Sequence, residues 1–146
     1  MSLRLTLTAF TGAVAADLMT KAYWVGSGGR LGVHVVYNTH PVELPRRALM
    51  CAVAFAVTAA LARLAAWRGV GRIPGAWVGA GFLAGGVVGN GISPLLWHRG
   101  VPDFVYLGGW VWNVADFEIS FGLVGGLASI FVSAAVAYCR ERLRPA

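Results

Sequence analysis

The chain has 146 residues, enough for one domain and not two, of which 58% are hydrophobic and 12% charged, with a mean hydropathy of +0.68. Soluble domains carry about 25% charged residues, so this composition excludes a disordered chain, a coiled coil and an ordinary cytosolic enzyme. The net charge of +6 comes from 12 basic and 6 acidic side chains scattered between long apolar runs, which points to membrane spans and not to nucleic acid.

The first predicted helix covers Leu3 to Val25. Arg4 and Ala13-Val14-Ala15 have the form of a cleavable signal peptide, but the stretch between them is weakly apolar and apolar character continues to Val25, which predicts an uncleaved helix. The outer segment 26–47 follows. Within it Val33-His34-Val35-Val36-Tyr37 is β-branched enough for a strand, which Pro41 and Pro45 then break. The second helix is expected at Ala48 to Trp67 and the third at Ala76 to Trp97, joined by the short inner turn Arg68 to Gly75. The outer segment 98–112 brings Tyr106, Trp110 and Trp112 together with Trp97 in an interfacial aromatic belt. The fourth helix is expected at Asn113 to Tyr138.

Each run has about the 20 residues that cross a bilayer as a helix. The expected fold is therefore one α-helical integral membrane domain over residues 1–146. It has four transmembrane helices and a small extracytoplasmic β-containing segment. Arg4, Arg63, Arg68, Arg72, Arg140, Arg142 and Arg144 fall on one side, and Lys21, Arg30, Arg46, Arg47 and Arg99 on the other. The excess, with the basic tail, puts both termini in the cytoplasm. Gly81 with Gly85, Gly85 with Gly89, and Gly122 with Gly126 form small-xxx-small pairs for close helix packing. The run Gly86 to Gly91 lacks the preceding strand of a nucleotide loop.

Ionisable groups inside a bilayer are costly and mark functional candidates. Asp17 and Lys21 are spaced i, i+4 and can form a structural ion pair near the outer surface. Asn113, Asp116 and Ser120 share a face of the fourth helix, and Glu118, about 200° round from Asp116, points away from it, outward or against a neighbour. Asp103 and Asp116 flank the aromatic loop, so adjacent third and fourth helices would bring them together at the outer edge of the bilayer. Two such carboxyls can share the work of acid and base and hydrolyse an amide without a covalent intermediate. Separately solvated helix-cap and loop carboxylates are the alternative. Cys51 and Cys139 have no metal spacing and make no disulfide framework. His34, His40 and His98 match no zinc motif, so neither a metal nor a cofactor is expected.

Read in order, the polar segments resemble those of the signal peptidase II (lipoprotein signal peptidase) family. Asp17-Leu18-Met19-Thr20-Lys21 resembles D-x-x-[ST]-K, Tyr37-Asn38-Thr39 the start of Y-N-T-G-A-A-F, and Gly85 to Asn90 G-G-A-x-G-N. Val101-Pro102-Asp103-Phe104 resembles V-V-D-F, and Trp112 to Asp116 F-N-x-A-D. The resemblance implies an intramembrane aspartic peptidase of four transmembrane helices with Asp103 and Asp116 as the catalytic pair. It also implies that Asn38, Asn90 and Asn113 bind substrate backbone, with Asp17 and Lys21 in support. The implied partners are a prolipoprotein carrying a diacylglyceryl cysteine and membrane lipid. Three departures mark the chain as divergent. Ser93 and Pro94 replace the Asp-Arg of the family's G-N-x-x-D-R, with Arg99 a possible substitute. His40-Pro41-Val42-Glu43 replaces G-A-A-F, and the interval between the aspartates is short. On the same fold, a lipoprotein-binding or assembly protein without cleavage is the alternative. A structural membrane subunit using the glycine pairs as partner surfaces is the third reading.

Overall fold

Pro74 opens a helix where its missing N–H costs nothing, and Asn113 opens another by capping it. These are two of the helices seen in the computed structural model, which describes residues 2–29, 32–39, 43–67 and 73–143. In chain order come α1 (Ser2–Ser27), β1 (Val36–Asn38), α2 (Glu43–Trp67), α3 (Pro74–Leu96), β2 (Val101–Asp103), β3 (Val105–Leu107), β4 (Trp110–Trp112) and α4 (Val114–Arg142). By length and composition α3 and α4 can each cross a membrane, and Ala48–Leu64 is a shorter apolar stretch of α2.

Two local expectations are corrected. α2 begins at Glu43 and not at Ala48, because Pro45 falls in its first turn, where no backbone acceptor awaits an N–H. The strand predicted at Val33–Tyr37 is displaced to Val36–Asn38, the residues for which β2 supplies an antiparallel partner, with Val36 opposite Asp103 and Asn38 opposite Val101. Pro41, His40 and Val42, the turn residues 68–72, Arg30 and Arg144 lie outside the described residues.

Glycines on two faces of α3 decide the packing. Gly81 and Gly85 lie against α1, where added Cβ atoms would meet the backbone of Thr6 and Phe10 and the side chains of Ala9 and Ala13. Gly79 and Gly86 lie against α4, with Gly122 and Gly126 returning the approach. Backbones can come this close only where no side chain intervenes, and the reward is dispersion contact along the whole interface. α3 is thereby the central helix, with α1 parallel to it on one side, α4 antiparallel to it on the other, and α2 packed against α3 and α4. One end of the bundle is closed by Ala62, Ile73, Ala76 and Ile130, with Trp77 beside them. The opposite end, where α1 and α3 finish and α4 starts, holds the polar cluster under the β1–β2 ladder.

Candidate active site

Asn113 organises that end. As N-cap of α4 it accepts from the Asp116 N–H at 3.3 Å through Oδ1, and its own N–H donates to Asp116 Oδ2 at 3.0 Å, a reciprocal capping box. Its amide Nδ2 then has both protons to spend outside the helix. It donates to Asp103 Oδ1 at 2.6 Å and to Asn90 Oδ1 at 3.0 Å. One side chain therefore touches Asp103 at the end of β2, Asn90 near the end of α3, and Asp116 in the first turn of α4.

Asn90 closes the circuit. Its Oδ1 also accepts from Lys21 Nζ at 2.8 Å, and its Nδ2 donates to Asp116 Oδ1 at 3.0 Å. An ammonium can only donate, so the amide of Asn90 has one permitted orientation, with its N–H groups facing Asp116. Lys21 spends its other two protons on Asp17 Oδ2 at 2.7 Å and Ser93 Oγ at 3.0 Å. Asp17 Oδ1 accepts the Ala115 N–H at 3.1 Å, one of the first-turn donors that α4 cannot satisfy itself. Asp17 and Lys21 are fully buried, so their pairing ties α1, α3 and α4 together beneath the aspartates. Gly89 makes room for it, since a Cβ there would collide with the Asp17 carboxylate.

Asp103 and Asp116 both border a groove of about 1270 Å³, as do Asn38, Asn90 and Asn113. Tyr37, Trp110 and Trp112 form apolar walls, and Gly91, Ile119 and Ser120 continue the floor down α3 and α4. Each aspartate is held by amide donors, and the groove gives both access to one volume. Paired carboxyls on a shared cleft, each held by a neutral amide donor, have the constellation for acid–base activation of water. Among the described residues no cluster of His, Cys, Asp and Glu has the form of a metal site.

Other sequence expectations fall elsewhere. Arg99 is not among the residues lining the groove; its guanidinium lies over the ring of Tyr37, which is, 4.5 Å from the centroid. Ser93 keeps part of what an acid there would do, as it is fully buried, accepts from Lys21 and donates to Gly89 O at 2.7 Å. Glu118 faces neither lipid nor groove. It is only 6% exposed, packed beside Gly86 at the α3–α4 contact, and its Oε2 finds no hydrogen-bond partner among the described residues. Sequence reasoning missed the Ala115 N–H as a ligand of Asp17. The clue was present, since an orphan donor at a helix start needs an acceptor from outside.

A family model described as signal peptidase II matches residues 9–132. No curated protein and no solved structure matches the chain. The matched segment contains every polar residue of the cluster, from Asp17 on α1 to Asp116 on α4. The chain belongs to the signal peptidase II family.

Proposed function

We propose that this chain is an intramembrane endopeptidase that removes signal peptides from diacylglyceryl-modified prolipoproteins, with Asp103 and Asp116 as the catalytic pair. Family membership carries the coarser activity, that of an aspartic peptidase acting on lipoprotein precursors in a bacterial membrane. The observation that carries this reading is the double hold of Asn113, whose amide touches Asp103 while its backbone N–H fixes Asp116, on one groove.

The chemistry follows from the pair. Water sits between the two carboxyls, one ionised and one protonated. The ionised carboxyl takes a proton as the water oxygen attacks the carbonyl carbon before the lipidated cysteine, and the protonated one donates to the carbonyl oxygen. The tetrahedral gem-diol collapses when the first carboxyl passes its new proton to the amide nitrogen, the carbon–nitrogen bond breaks and one hydroxyl returns a proton to the second carboxylate. Both carboxyls regain their starting states, and neither metal nor cofactor takes part. Asn38 and Asn90, which both line the groove, hold the extended substrate backbone, and Asp17 and Lys21 support them.

In this reading all four helices cross the membrane, both termini are cytoplasmic and the groove lies near the outer face. The exposed apolar side chains along the bundle support it. Met19, Leu49, Val53, Phe121, Val124 and Phe131 are all exposed, and so large an apolar surface is unsustainable in water. The signal peptide enters sideways, with acyl chains remaining in lipid. The test is cleavage of a diacylglyceryl-modified prolipoprotein by the purified chain in detergent, beside Asp103→Asn and Asp116→Asn. Cleavage before the lipidated cysteine, lost by at least about 10³-fold in each variant, is the expected result. A folded wild type that binds the lipoprotein and leaves it intact would establish the alternative, a binding or assembly protein. The replacement of Asp-Arg by Ser93-Pro94 favours that second reading.

A further inference from the structure

The β3–β4 hairpin carries an exposed apolar surface beyond the part that walls the groove. Its two-residue turn, Gly108 and Gly109, has φ of 61° and 82°, the left-handed pair that matches strand twist. The register sets Val105 opposite Trp112 and Leu107 opposite Trp110. Directly opposed residues share a face, and alternate residues along a strand do too. Val105, Leu107, Trp110 and Trp112 therefore form one wholly apolar face. Leu107 is 57% exposed and Trp110 73% exposed, so this face is open at its tip. The other face is tethered, with Tyr106 donating its hydroxyl proton to His34 O at 2.8 Å.

The apolar face does not end at the hairpin. The Trp112 ring lies 5.9 Å from Phe117, which lies 6.4 Å from Phe121, itself exposed on α4. An aromatic ladder thus runs without a break from the hairpin onto the outward side of a helix long and apolar enough to cross a membrane. Residues 104–115 carry no charge at all. Tryptophan and tyrosine beside a membrane-crossing apolar face favour the headgroup–acyl boundary.

We infer that the β3–β4 hairpin is a membrane anchor, lying in the outer interfacial layer with Leu107 and Trp110 in contact with phospholipid. The occupant is the uncharged headgroup–acyl boundary, because nothing on the hairpin would select an anionic lipid. Since Trp110 and Trp112 also wall the groove, anchoring sets the depth at which the aspartates meet a scissile bond. The inference rests on the membrane placement given under Proposed function, but not on cleavage.

The test uses the full chain in phosphatidylcholine vesicles. A Leu107→Cys variant, with Cys51→Ser and Cys139→Ser, carries an environment-sensitive fluorophore, and a His98→Cys variant in the same background is the aqueous control. Lipid spin-labelled near the top of the acyl chain is expected to quench the Leu107 label severalfold more than the His98 label, with iodide showing the reverse order. Equal iodide quenching at both positions would overturn the anchor. So would protection that disappears as the protein is diluted in lipid, which would assign the face to a second copy of the chain. A lipid-quenched label on an inactive enzyme sinks the peptidase reading alone. An iodide-quenched label on an active one sinks the anchor alone.

Discussion

Lys21 has three protons, and the structure supplies three acceptors, on Asp17, Asn90 and Ser93. Removing one member of a buried pair strands the other, at a cost of about 3–5 kcal/mol. Lys21→Met is therefore expected to lower the thermal midpoint in detergent sharply. The double variant Asp17→Leu/Lys21→Met leaves no stranded charge and should recover most of that loss. It should not recover cleavage, because the Asn90 amide has lost the ammonium that orients it toward Asp116. Recovery of both together would reduce Lys21 to a stability device. Glu118 gives the opposite sign. A buried oxygen without a partner costs about 1–3 kcal/mol, so Glu118→Met should raise the midpoint, and a variant no more stable than wild type would refute the account of an uncompensated carboxyl. At this scale the sequence is legible where the geometry is local. The i, i+4 spacing of Asp17 and Lys21 announces their pair, and the helical angle between Asp116 and Glu118 keeps Glu118 off the groove. The bridging by Asn90 and the burial of Glu118 against α3 join different helices, and no spacing within one helix encodes which neighbour will be met.

Among the elements, α3 sorts its glycines by face. Gly79 is lodged against the backbone of Gly122 and Gly126, whereas Gly125, on the other side of α4, has nothing within 4 Å of an added Cβ. Gly79→Val is expected to push α3 and α4 apart, destabilising by about 1–3 kcal/mol as overpacking does, and to weaken cleavage by separating Asn90 from Asn113. Gly125→Val should leave both the thermal midpoint and the activity near wild type. If the two substitutions behave alike, helix propensity and not close approach governs these positions. The four-residue spacings on α3 and α4 advertise close packing, but not against which helix: Gly75 and Gly79 repeat the spacing and face α4, whereas Gly81 and Gly85 face α1. The strands were less legible still. Three-residue strands owe their existence to their partners, so the residues that became β1 depended on where β2 arrived.

At the scale of the whole molecule, the buried charged side chains, Asp17, Lys21, Asp103 and Glu118, are gathered toward one end of the bundle. α1 and α3 finish there and α4 begins there, so the C-terminal end of α4 lies at the opposite end. Cys139 is a free, exposed thiol in the last turns of α4, beside Arg140 and Arg142. His98 is exposed in the turn between α3 and β2, at the polar end. If the polar end faces outward, a membrane-impermeant maleimide added to spheroplasts should spare Cys139 and modify it only after lysis. With Cys51→Ser and Cys139→Ser in place, a His98→Cys variant should react before lysis. The reverse pattern would invert the molecule and place Asp103 and Asp116 on the cytoplasmic side. The arginine asymmetry, which sets the expected orientation, would then have misled. Reaction of both thiols from one side would be more serious, because α4 is a single unbroken helix. Its two ends can share a compartment only if the helix does not cross, and the exposed apolar surface of Phe121, Val124 and Phe131 would then need a cover other than lipid.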